Sequence, residues 1–105
     1  MKTWLVHSKN GNVAGFEIPN TFISRSGVVR ALKRVPGVHI TKYPKAWAWV
    51  DDDFVHFTIA GQRFLVVEPF GDNSRYLFIT DPPMQSPAIE TVRSVFAARG
   101  LFASG

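Results

Sequence analysis

Residues 54–80, FVHFTIAGQRFLVVEPFGDNSRYLFIT, decide the fold. Three runs rich in β-branched and aromatic residues, Phe54–Ala60, Arg63–Glu68 and Arg75–Thr80, are separated by turn chemistry. Gly61-Gln62 suits a type II′ hairpin turn, and Phe70-Gly71-Asp72-Asn73 suits a longer connection. The expectation is an antiparallel meander. Phe64–Val67 and Tyr76–Ile79 are apolar at successive positions, so both faces of these two strands carry apolar side chains. Strands of that kind lie in the middle of a sheet.

Upstream of the meander, Val38–Tyr43 reads as a further strand, Trp47–Val50 as a short one, and Asp51-Asp52-Asp53 as the turn after it. Asn20, Ser24 and Ser26 are alternative N-caps for a helix that runs to about Val35 and is stopped by Pro36-Gly37. At 3.6 residues per turn, Val28, Ala31, Leu32 and Val35 fall on one face of that helix and Arg30, Lys33 and Arg34 on the other. The helix therefore packs one side on a core and presents a cationic side to water. Asn10-Gly11 between Thr3–Ser8 and Val13–Ile18 predicts an opening hairpin. Downstream of the stiff Asp81-Pro82-Pro83 linker, Ser86 caps a second helix with Pro87 at its first position and Gly100 as its stop. Ile89, Val92, Val95 and Phe96 form its apolar stripe. The order is β-β-α-β-(β)-β-β-β-α, an α+β domain with a mainly antiparallel sheet and two helices packed on one face.

The 105 residues make a single domain spanning 1–105, and 46% apolar with 13% aromatic residues suffice for a core. The absence of cysteine excludes disulfides, zinc-thiolate sites and thiol catalysis. No apolar run reaches the roughly 18 residues of a membrane helix, and Met1-Lys2-Thr3-Trp4 lacks the start of a secretory signal, so a cytoplasmic protein without membrane partners is expected. Residues 1–50 hold eight lysines and arginines against Glu17 alone, a net of +7, while residues 51–105 hold four arginines against seven acids, a net of −3. That division reads as a bipolar molecule able to attract a polyanion.

Catalytic chemistry finds no motif. His7, His39 and His56 have no ligand spacing, Asp51–Asp53 lacks the glycine and the distal glutamate of a calcium loop, and neither a Gly-x-Ser-x-Gly elbow nor a phosphate-binding Gly-Lys-Ser/Thr occurs. No catalytic residue, metal ligand or cofactor is assigned, and a non-enzymatic protein is expected. His56 beside Asp52 and Asp53 is the one imaginable enzymatic site. The basic face is the stronger feature: Arg30, Lys33 and Arg34, supplemented by Arg25, Lys42 and Lys45, with Tyr43, Trp47 and Trp49 adjacent in sequence. Cations beside aromatics suit an acidic protein partner, or alternatively a nucleic-acid backbone with unstacked bases. The bland reading of the same residues is a charged surface helix with tryptophans in the core.

Glu68-Pro69-Phe70-Gly71-Asp72-Asn73-Ser74-Arg75-Tyr76 is the most distinctive string; in it Glu68 and Arg75 are placed to pair across a hairpin whose tip, Phe70–Asn73, offers contact area to a partner. With Phe16-Glu17-Ile18-Pro19-Asn20, it resembles a group of small, uncharacterised bacterial proteins sharing an EPFGDNSRY-like hairpin. The resemblance implies a bacterial, cytoplasmic origin and brings no activity, cofactor or site residue with it. The meander behind a helix also resembles an Sm-type small barrel, whose family binds RNA. The second apolar sheet face needs a cover, and a homodimer is one way to supply it.

Overall fold

The computed structural model describes residues 1–21, 23–44, 53–68 and 75–99. Six strands, β1 (Trp4–His7), β2 (Val13–Pro19), β3 (Val38–Lys42), β4 (Asp53–Ile59), β5 (Gln62–Val67) and β6 (Arg75–Thr80), form one sheet in the order β1-β2-β6-β5-β4-β3 with every neighbour antiparallel. Helices α1 (Arg25–Leu32) and α2 (Pro87–Ala97) complete an α+β fold. The β1–β2 hairpin opens the chain, α1 carries it to the far edge, and the meander returns strand by strand until β6 pairs with β2. The two strands apolar on both faces, β5 and β6, occupy the centre of the sheet as their composition predicts. The sheet is open, with β1 and β3 at opposite edges, and in this it departs from a small barrel.

Cross-strand register separates two faces. On the inner face lie Phe16 and Ile18 of β2, Tyr76 and Phe78 of β6, Phe64 and Val66 of β5, and Val55, Phe57 and Ile59 of β4, all buried. Both helices pack here and share one hydrophobic core with these strands: α1 contributes Val28, Val29, Ala31 and Leu32, and α2 contributes Ala88, Ile89, Val92 and Phe96. The Phe16 and Phe78 rings stack at 4.7 Å, and Phe96 closes on Phe78 at 4.8 Å, which fixes α2 over the β2–β6 pair. Each fully buried phenylalanine contributes about 1.5–3 kcal/mol relative to exposure. Gly15 lets β2 approach β6 closely, because a Cβ there would lie 2.1 Å from the Phe78 carbonyl oxygen.

Several local expectations shift. Of the three candidate caps, Ser24 is the one used, its hydroxyl accepting the Gly27 N–H. The α-helix ends at Leu32 and the next residues tighten, Arg34 N–H donating to Ala31 and Val35 N–H to Leu32, so Val35 is still buried. In the opening hairpin only Gly11 has positive φ (+86°), and Gly11 N–H donates to the Ser8 carbonyl. The loop is therefore three residues long, a hydrogen-bonded turn followed by a left-handed glycine, in place of a two-residue Asn10-Gly11 turn. The β4–β5 loop is Ala60-Gly61, one residue earlier than expected; φ values of +51° and +77° match type I′ in place of II′. Ser86 and Pro87 begin α2 as predicted. The Trp47–Val50 strand, the Asp51-Asp52 turn, the Phe70–Asn73 tip and the Gly100 stop lie outside the described residues.

Among the described residues the two halves of the sequence do not form separate sides of the sheet. The strand order places β1 and β2 on one flank and β3 on the other, with β4, β5 and β6 between them, so the two halves of the sequence interleave in space. Among the described residues no helix is long and apolar enough to cross a membrane.

Candidate functional site

On α1, burial of Val28, Ala31 and Leu32 turns Arg30, Lys33 and Arg34 outward, and all three are exposed. Every carboxylate among the described residues is in an ion pair: Glu17 with Arg75, Asp53 with Lys42 and His56, Glu68 with Arg25, Asp81 with Arg63, and Glu90 with Arg93. None of these pairs involves Arg30, Lys33 or Arg34, nor Lys2, Lys9 or Arg99, so the uncompensated charge among the described residues is cationic and three of its six side chains lie together toward the C-terminal end of α1. The helix dipole favours cations there. Lys33 also lies 5.5 Å from the centroid of the Tyr43 ring, which is 50% exposed at the end of β3.

The rest of the sequence-derived set divides differently. Arg25 is a structural residue: its guanidinium donates to Glu68 Oε1 at 3.0 and 2.8 Å and lies 4.5 Å over the Phe54 ring. Asn20 donates to the other Glu68 oxygen at 2.9 Å, so one carboxylate joins the end of β2, the start of α1 and the end of β5. Glu68 does not pair with Arg75. The β5–β6 register puts Glu68 opposite Tyr76 on the inner side, whereas Arg75 points to the outer face and bonds Glu17 at 3.3 Å. Lys42 lies on the outer face as well, because a bulge between Ile40 and Lys42 reverses the simple alternation and sets it beside His56. There its ammonium donates to the Asp53 carbonyl at 2.7 Å. The sheet thus separates Lys42 from the cationic face of α1. Lys45, Trp47 and Trp49 lie outside the described residues.

His56 and Asp53 do come together, Nε2 and Oδ2 being 2.8 Å apart. The hydrogen bond to His56, with Lys42 assisting, holds the Asp53 carboxyl below the usual aspartate value. The pair stands on the outer sheet face, while a cleft of about 530 Å³ lies at the other end of the molecule beside the first hairpin, bordered by Val6, His7, Asn10, Ile79 and Pro83. A recessed general base needs a concave setting for its substrate, and His56 is not among the residues of that cleft.

The outer face was visible in sequence only as the second apolar side of β5 and β6. Register gives it a layout. Trp4, Glu17, Leu77, Val67 and Asp53 form one cross-strand row, and Val6, Gly15, Ile79, Leu65 and His56 form the next. Trp4 receives two cations, Arg75 at 3.6 Å and Lys2 at 5.1 Å from the ring. No periodicity marks Trp4 for this role; its partners follow from the pairing of β1 and β6 on either side of β2. The chain matches no family model, no curated protein and no solved structure.

Proposed function

We propose that this protein is a non-enzymatic interaction module of the bacterial cytoplasm, working as a symmetric pair, that docks an acidic protein partner on the outward face of α1. One observation carries the reading: Arg30, Lys33 and Arg34 are exposed and in no ion pair among the described residues, where each carboxylate is neutralised locally by another cation. Unpaired like charges side by side raise the local potential and favour encounter with an anionic surface. A second reading, nucleic-acid binding on the same face, is favoured by the half-exposed Tyr43 ring beside Lys33, since a cation with an exposed ring suits a phosphate and a stacked base.

The test compares wild type with the triple variant Arg30→Gln, Lys33→Gln, Arg34→Gln. Immobilised protein is used to capture partners from bacterial lysate, and anisotropy of labelled single- and double-stranded DNA and RNA is read at low and near-physiological salt. An acidic protein retained by wild type and lost by the variant supports docking. Oligonucleotide binding that weakens with salt and disappears in the variant transfers the assignment to nucleic acid. Equal retention by both proteins, with no oligonucleotide bound, overturns both readings.

A further inference from the structure

The outer sheet face is built as an interface. Leu65 and Val67 of β5 and Leu77 and Ile79 of β6 form its centre, with Val6 and Trp4 toward the β1 edge, all of them partly exposed. Both helices lie on the opposite face. Around the aliphatic centre run the pairs Glu17–Arg75, Lys42–Asp53–His56 and Arg63–Asp81. An apolar middle inside a polar rim is the anatomy of a protein interface.

We infer that this face joins two copies of the chain, sheet against sheet; the inference rests on the reading of the protein as a symmetric pair and names the surface that makes it. Area is the first support. Six strands about 4.8 Å apart, each about six residues long at about 3.3 Å per residue, give roughly 600 Å² per copy and about 1,200 Å² per pair, the lower bound of a stable specific interface. Charge is the second. Arg75 opens β6 and Asp81 directly follows its last residue, and Asp53 and His56 stand in successive cross-strand rows of this face. A two-fold axis across the strands, midway between the Leu77–Val67 row and the Ile79–Leu65 row, lays Arg75 of one copy over Asp81 of the other and Asp53 over His56. Each of these acids then meets a basic group of the other copy, with Leu77 against Ile79 and Val67 against Leu65 in the middle. The unpaired cations of α1, which would repel a second copy, lie on the far side of each protomer.

Sedimentation equilibrium across the micromolar range tests this. Wild type is expected to reach twice the 11.7 kDa chain mass, and Leu65→Glu to remain at the chain mass. Because a glutamate at the sheet centre also tests folding, a second measurement uses the absence of native cysteine. A short bismaleimide is expected to link Leu65→Cys into dimers and to leave Arg30→Cys, on the far side, unlinked. Wild type that stays at 11.7 kDa overturns the pair and the surface together. A dimer that survives Leu65→Glu, or equal linking at both cysteine positions, overturns the surface alone.

Discussion

Ala60 holds φ at +51° with no glycine's freedom to do so. A left-handed conformation costs a residue with a Cβ about 1 kcal/mol, and asparagine tolerates it better through local hydrogen bonding. The Ala60-Gly61 loop needs positive φ at both positions, for which Asn-Gly is the favoured pair. Ala60→Asn is therefore expected to raise stability by about 0.5–1 kcal/mol, read as a higher thermal unfolding midpoint. Tyr76 acts in the opposite sense. Its hydroxyl donates to the Ile23 carbonyl at 3.1 Å and joins β6 to the segment before α1. Tyr76→Phe leaves that carbonyl unpaired in a buried site and is expected to cost about 1–2 kcal/mol. Burial, with Glu68 nearby, also pushes the phenol above its ordinary value. Above about pH 10 the unfolded chain gives up a proton that the folded chain keeps, so stability falls as pH rises. Urea unfolding across that range should show a shallower alkaline decline for the phenylalanine variant than for wild type.

At the scale of elements, Gly15 leaves no room for a side chain between β2 and β6. A Cβ there meets the backbone of Phe78, which cannot swing aside as a side chain can. Gly15→Ala must push β2 away from β6 and disturb the Phe16–Phe78 stack beneath it, an overpacking expected to cost about 3 kcal/mol or more. Denaturant unfolding should show it, and a loss below 1 kcal/mol would mean that the two strands part easily. The glycine gave no such signal in the sequence, since close approach depends on which strand lies beside β2. The elements themselves were legible wherever one local rule sufficed: the alternating faces of α1, the serine cap at Ser86, and the two-sided apolar runs of β5 and β6, whereas Ser24 was one of three candidate caps. Side-chain partners were not. Glu68 meets Arg25 and Asn20 because pairing parity turns Arg75 to the other face, and Lys42 leaves its expected side because one bulge resets the alternation. Such outcomes depend on register across distant segments, whereas Arg30, Lys33 and Arg34 needed only the period of a single helix.

For the whole molecule, ion pairing sorts the cations into those that hold the fold and those that face outward. Arg25 belongs to the first group, since it satisfies the Glu68 carboxylate and covers the Phe54 ring. Arg30, Lys33 and Arg34 belong to the second. Replacing all three by glutamine lowers the formal charge from +4 to +1 and removes no ion pair among the described residues. Exposed substitutions of this kind change stability by about 0.5 kcal/mol or less each, and the Lys33–Tyr43 contact adds about as much. The triple variant is thus expected to unfold close to the wild-type midpoint and to lose binding of an anionic partner. If that partner is nucleic acid, the dependence of log affinity on log salt should become shallower by up to about three counterions. Arg25→Gln is expected to behave in reverse, with a stability loss of about 1–3 kcal/mol from lost charge-assisted bonds to Glu68, read as a lower unfolding midpoint, and retained binding at temperatures where it is folded. Thermal unfolding and anisotropy on the two variants read these outcomes side by side. Binding lost equally in both, at equal stability, would mean that local ion pairing does not separate the two groups of cations.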